Sequence, residues 1–198
     1  MEHDISKIKK KLKKKLDKER YHHTLGVAST AVCMAMRYEV DLETANLAGL
    51  LHDCAKCIPD DEKYELCAKY DISLSDVELQ NPSLLHAKLG AYIARDKYDV
   101  KDQEILDAIT WHTTGKADMT TLEKIIFIAD YIEPGRTKQK NLAQIRKTAF
   151  IDLDETVYLI TRDTLEYLSN TPKMIDKNTR EAYEYYADLH SIKESSND

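Results

Sequence analysis

The chain has 198 residues, 42% of them hydrophobic and 32% charged, with a net charge of −6. That is enough apolar material for one sizeable core, and the acidic balance argues against general affinity for nucleic acid. Five glycines and four prolines are too few for the turns of a β-sandwich or barrel, so a helical fold is favoured.

The first twenty residues carry nine Lys/Arg against four Asp/Glu, a local +5 that leaves −11 for the remainder. Ile5, Ile8, Leu12 and Leu16 recur every three or four positions, which predicts a basic N-terminal helix within 1–19 with a narrow apolar stripe. Its lysines read as a solvated face. No apolar run approaches the roughly 18 residues of a membrane span, and no apolar stretch follows the lysines as a signal peptide requires. Four cysteines in a chain of this length do not make a disulfide framework, so a cytoplasmic protein with reduced thiols is expected.

Helix-like segments then follow one another: Tyr21 to Tyr38, Leu42 to Asp53 after the N-cap candidate Asp41, Asp60 to Tyr70, Pro82 to Tyr98, and Lys101 to His112. Thr120 to Ile132, Leu142 to Phe150, Leu153 to Ser169 and Asn178 to His190 complete the series. Sustained two-residue alternation is missing, and Gly115 and Pro134-Gly135 mark loops. The expectation is an all-α, single-domain helical bundle over 20–192, with a C-terminal tail at 193–198.

Several of these helices place a His or Asp on an apolar face. His52 follows Ala45, Ala48 and Gly49 by seven, four and three residues; His112 follows Ile105 and Ile109 by seven and three. Asp130 lies one turn past Ile126 and Phe127, His86 precedes Gly90 by four, and His23 precedes Val27 by four. A single inward histidine is ordinarily a core residue bonded to a carbonyl. Five helices that each deliver such a group suggest a shared purpose, because a buried carboxylate needs a partner or a cation. Four imidazoles and two carboxylates suit a binuclear centre in a bundle, with Asp53, adjacent to His52, as the natural bridge. Two metals clamp the oxygens of a displacement at phosphorus and acidify a shared water. Imidazole-rich donors favour a transition metal over Mg.

Lys56 stands four residues after His52 and, on a continued helix, would face the ligands and hold a phosphate oxygen. Arg136, beyond Asp130, and Arg20, one turn before His23, are candidates for the same role; Thr113 and Thr114 offer hydroxyls after His112. Cys54-x-x-Cys57 is a lone pair without a second, and no Walker A, G-x-G-x-x-G or G-x-S-x-G occurs.

The order His23, His52-Asp53, Asp130, with His86 and His112 between, resembles the HD superfamily of metal-dependent phosphohydrolases. The words around them are more specific: His23-Thr24-Leu25-Gly26-Val27, His52-Asp53-Cys54-Ala55-Lys56, His112-Thr113-Thr114-Gly115 and Ala129-Asp130-Tyr131-Ile132-Glu133-Pro134-Gly135-Arg136. These are similar to the bacterial HD-type symmetrical diadenosine tetraphosphatases over roughly residues 20 to 190. The resemblance implies an all-α fold and a metal pair, most often iron, with manganese or cobalt as alternatives and magnesium disfavoured. It implies cleavage of diadenosine tetraphosphate to two ADP. By matching position, His23, His52, Asp53 and Asp130 would hold one metal, and His86 and His112, with Asp53 bridging, the other. Asp53 and Lys56 would carry the chemistry, with Lys56, Thr113, Thr114, Arg136 and Arg20 on the substrate. Cys54 departs from the pattern, where an aliphatic residue is expected.

The ligand set leaves other substrates open: another nucleoside phosphate, a cyclic nucleotide or a guanosine tetraphosphate alarmone. A di-iron oxygenase and a non-catalytic, metal-stabilised binding module are the rivals of different chemistry. A dinucleoside polyphosphate partner, no membrane, no nucleic acid and an optional homodimer complete the reading.

Overall fold

Side-chain caps define where the helices begin. Asp4, Asp17, Asp41, Ser75, Asp102, Thr120, Asp152 and Asp176 each accept a hydrogen bond from a backbone N–H in the first turn, satisfying donors that have no partner within the helix. A computed structural model describes residues 3–172 and 174–196. Among the described residues it contains eleven α-helices and no strand, as the sparse turns and missing alternation predict. They are α1 (Ile5–Lys15), α2 (Lys18–Tyr38), α3 (Leu42–Leu51), α4 (Asp60–Lys69), α5 (Asp76–Gln80), α6 (Leu85–Tyr98), α7 (Gln103–Trp111), α8 (Thr121–Ile132), α9 (Leu142–Thr148), α10 (Leu153–Ser169) and α11 (Lys177–Ser195). No helix among them is long and apolar enough to cross a membrane.

The central packing unit is α2 against α3 and α8, with α7 wedged between α6 and α8. Gly49 permits the closest approach: a Cβ there would stand 2.7 Å from the Ala28 Cα, so α2 and α3 meet backbone to backbone. A main apolar cluster runs through these helices and takes in Ile8, Leu12 and Leu16; the basic helix α1 therefore docks on the bundle by its apolar stripe. A smaller cluster of Ala55, Cys67, Leu85 and Leu89 sits beneath α4.

Four local differences from the sequence reading have physical causes. The α2 helix starts at Lys18 rather than Tyr21, because the Asp17 side chain caps it through the Arg20 N–H at 2.7 Å. Helix α3 stops at Leu51, and 52–57 turn through i→i+3 bonds such as Lys56 N–H to the Asp53 carbonyl. The short helix α5 is stabilised by a Ser75/Glu78 capping box rather than by apolar periodicity. Helix α11 continues to Ser195, three residues into the expected tail, because His190 reaches Glu155 on α10 and Lys193 reaches that helix's cap Asp152, each at 2.7 Å. Asn197 and Asp198 lie outside the described residues. All four cysteines are free thiols.

Candidate metal centre

The apolar faces of five helices bring six side chains to one place. His23 lies within α2, His52 caps the C-terminus of α3 with Asp53 beside it, His86 stands in the first turn of α6, His112 caps α7, and Asp130 lies in the last turn of α8. All but Asp130 are buried, and its carboxylate is three-quarters covered. Helix ends dominate this list because a side chain there can turn back on a free carbonyl of its own last turn. His52 and His112 do so: their Nδ1–H groups donate to the carbonyls of Gly49 and Ile109, both at 2.7 Å. His86 Nδ1 donates to the Ser83 carbonyl at 2.5 Å.

A carbonyl can only accept, so each of these imidazoles, when neutral, carries its lone pair on Nε2. The Nε2 atoms converge. His23 and His52 face each other at 3.3 Å, and His86 and His112 at 3.1 Å. Asp53 divides its carboxylate between the two pairs. Its Oδ2 lies 3.3 Å from His52 Nε2 and 3.7 Å from His23 Nε2, while Oδ1 lies 3.1 Å from His86 Nε2 and 3.6 Å from His112 Nε2. Asp130 completes the first group, with Oδ1 2.9 Å from His23 Nε2.

Charge makes this arrangement incomplete by itself. Burial alone would raise the Asp53 carboxyl, but the imidazoles of His52, His112 and His86 around it hold it well below the ordinary carboxylate range. Asp130 is likewise held low, because His23, His52 and Arg136 outweigh its burial. Both carboxylates are therefore anions. Burial pushes His86 down to about 4, so that imidazole stays neutral near pH 7. Anionic oxygens and nitrogen lone pairs pointing at one another from about 3 Å repel unless a cation lies among them, and the buried Asp53 Oδ1 has no hydrogen-bond partner. Two three-residue groups with metal-ligand geometry emerge, His23/His52/Asp130 and His52/Asp53/His112. The donors fit divalent metal.

Residues 20–135 match the HD domain family. The chain belongs to it. Over 92% of its length it is 38% identical to a symmetrical bis(5'-nucleosyl)-tetraphosphatase of Staphylococcus aureus, of which it covers 94%. It is 36% identical to the Bacillus subtilis protein of the same name, over 88% of this chain and 92% of that relative. A crystal structure of an HD superfamily hydrolase from Clostridium acetobutylicum, described as involved in NAD metabolism, superposes with a TM-score of 0.89 at 39% identity and covers 93% of this chain and 97% of that one. An HD domain binds divalent metal through its His and Asp side chains, consistent with the donor set here.

Around the HD centre stand the basic groups singled out from sequence. Arg20 Nη1 donates to Asp53 Oδ2 at 2.7 Å, and Arg136 donates to the Asp130 carbonyl at 2.8 Å and to Oδ1 at 2.5 Å. Lys56 reaches the site although α3 does not continue to carry it: the turn after Asp53 brings Nζ to 3.3 Å from His86 Nε2. Burial lowers its ammonium from the usual value. The Thr113 hydroxyl lies 3.0 Å from His112 Nε2 and 3.2 Å from His86 Nε2. Thr114 differs, since its hydroxyl donates to the Gly115 carbonyl at 3.0 Å within its own loop.

Three residues around the centre escape a reading of the ligands alone. Glu133, buried, accepts from His23 Nδ1–H at 3.1 Å and from the Gly135 N–H at 2.6 Å, so it fixes the tautomer that aims His23 Nε2 at Asp130. Gly26 exists to make room for it: a Cβ there would lie 2.4 Å from Glu133 Oε2. The spacing Asp130–Glu133, one helical turn, is the sequence signal that could have suggested it. Arg146 on α9 pins the same loop by donating to the carbonyls of Ile132, Glu133 and Arg136 at 2.8–3.0 Å; nothing near Arg146 in sequence marks it. An open cleft of about 800 Å³ adjoins the centre, lined by Arg20, His22, His23, Glu133 and Arg136 among others.

Proposed function

We propose that this HD protein hydrolyses a nucleotide phosphoanhydride, with symmetrical cleavage of diadenosine tetraphosphate to two ADP as its reaction. The observation that carries the reading is the split carboxylate of Asp53, one oxygen in each of two histidine groups, bonded to Arg20, which lines the adjoining cleft together with Arg136. The names borne by the Staphylococcus aureus and Bacillus subtilis relatives support the substrate. In this reading His23, His52, Asp53 and Asp130 hold one metal, and His86, His112 and Asp53 the second, within a catalytic unit spanning 20–192. Iron is the proposed occupant, since imidazole with carboxylate suits a mid-row transition metal; manganese and cobalt share that preference.

When bound, the metals supply Lewis acidity to the attacked phosphoryl group and acidify water. The chain supplies the rest. Arg20, Lys56 and Arg136 neutralise phosphate oxygens that enter the cleft, each as a charge-assisted donor. Arg20 and Arg136 already bond carboxylate oxygens, the same oxygens that metals would take, so both guanidinium groups are positioned to turn to an anionic substrate instead. Thr113 presents a hydroxyl at the His86/His112 edge to orient a phosphoryl oxygen or water. Glu133 keeps His23 in its ligating tautomer.

The test is product analysis on the purified protein with one dinucleoside tetraphosphate, with and without chelator and after reloading with Fe, Mn or Co. Two equivalents of nucleoside diphosphate, lost with chelator, support the proposal. AMP with ATP as products, or full turnover in excess chelator, would overturn it.

A further inference from the structure

A second chamber, about 460 Å³ in volume, opens behind the metal centre where α1, α4 and α6 meet the 52–59 turn. It lies at the seam between the two apolar clusters: Cys54 belongs to the larger and Tyr98 flanks it, Ile58, Leu66 and Tyr70 flank the smaller, and Ile93 flanks both. These five flanking side chains are only half-buried, so the protein leaves a concave apolar surface open to water there. Its charged lining is one-sided. Lys11, Lys14, Lys15 and Lys97 contribute four ammonium groups, against the single carboxylate of Glu62. Lys97 is paired with Asp96 at 2.8 Å and Lys11 donates to the Lys97 carbonyl at 3.1 Å. Lys14 and Lys15 have no ion pair or hydrogen bond among the described residues.

Concave apolar walls with a few convergent polar groups are the general form of a small-molecule site between helices. Here the polar groups are cations, so the ligand has an anionic head. Its body is aliphatic rather than a nucleobase, because the aromatic faces are already taken: Lys11 lies over the Tyr98 ring at 5.3 Å, and Tyr70 is covered by Lys69 at 5.5 Å and by Tyr92 at 5.6 Å. We infer that this chamber binds a small amphipathic anion, an alkyl chain ending in phosphate or carboxylate, with the chain against Ile58, Leu66 and Ile93 and the head held by Lys14 and Lys15. The occupant would abut Cys54, whose thiol donates to the Gly90 carbonyl at 3.4 Å, one residue from Asp53 and one turn past His86. The inference stands apart from the proposed reaction and does not need it.

Calorimetric titration with decyl phosphate and with decanoate, each below its micelle concentration, tests it on the full chain in excess chelator. Saturable one-to-one binding of either amphiphile is expected, and the stronger of the two identifies the preferred head. Inorganic phosphate and decanol alone should bind at least tenfold more weakly. The double variant Lys14→Glu/Lys15→Glu, altered only on the exposed face of α1, should lose at least tenfold in affinity, whereas Asp53→Asn should bind as the parent does. No saturable binding, equal affinity in the lysine variant, equal affinity for inorganic phosphate, or loss of binding in Asp53→Asn would each overturn the assignment; the last would place the ligand in the metal centre.

Discussion

Replacing Glu133 by Gln changes one buried atom and should disturb the metal centre from behind. The carboxylate serves two donors, His23 Nδ1–H at 3.1 Å and the Gly135 N–H at 2.6 Å. A carboxamide has one acceptor oxygen and one donor group, so it can satisfy only one of them. If its oxygen stays on the shorter Gly135 bond, its NH2 confronts His23 Nδ1–H. The imidazole then must move its proton to Nε2, where it points at Asp130 and His52 in place of a lone pair. Outer-shell changes of this kind cost about 10–100-fold in metal affinity, or about 1.4–2.8 kcal/mol. If the oxygen turns to His23 instead, the Gly135 N–H is left facing a donor, at about 1–3 kcal/mol of stability. For a domain of this size that lowers Tm by about 2–12 °C. Competition with a chromophoric chelator measures the first outcome and calorimetry the second. Metal affinity within twofold of the parent together with an unchanged Tm would refute the role given to Glu133.

Other perturbations separate ligand, substrate and packing roles. Asp53→Asn keeps the shape of the bridging side chain but removes its charge, so bound metal and turnover should fall together; elemental analysis beside product chromatography checks this, and full turnover by a metal-free variant would contradict it. Arg136→Gln removes a charge-assisted donor worth about 1.5–3 kcal/mol, so kcat/KM should drop about 10–150-fold with metal content retained, which steady-state kinetics and elemental analysis report. Gly49→Ala should cost about 1–3 kcal/mol through overpacking, because its Cβ would meet the Ala28 backbone at 2.7 Å; thermal unfolding measures it. Leu12→Ala, at a fully buried position of α1, should cost about 2–5 kcal/mol if docking of the basic helix is part of the cooperative fold, and a two-state melt with an unchanged midpoint would show that it is not.

Local physics wrote much of this protein into its sequence. The helical class follows from a chain poor in turn residues and rich in three- and four-residue apolar spacing, and Asp41 as a cap needs only a short acceptor before that pattern. The six inward His and Asp side chains were legible for the same reason: an apolar face that ends in a polar group is visible from periodicity alone. What periodicity could not see is whatever depends on partners far along the chain. The end of α3 at Leu51 frees Lys56 to reach His86 from a turn, and the helix α5 rests on a four-residue capping box too short to show a period. Glu133 acquires its role only when Gly26, more than a hundred residues earlier, brings α2 against the loop after α8. The division of Asp53 between two histidine pairs is likewise a fact of helix packing. Sequence names the groups that must be buried; only the packed helices decide which atoms those groups face, because distance and direction between remote segments are fixed by the core as a whole and by no segment of it.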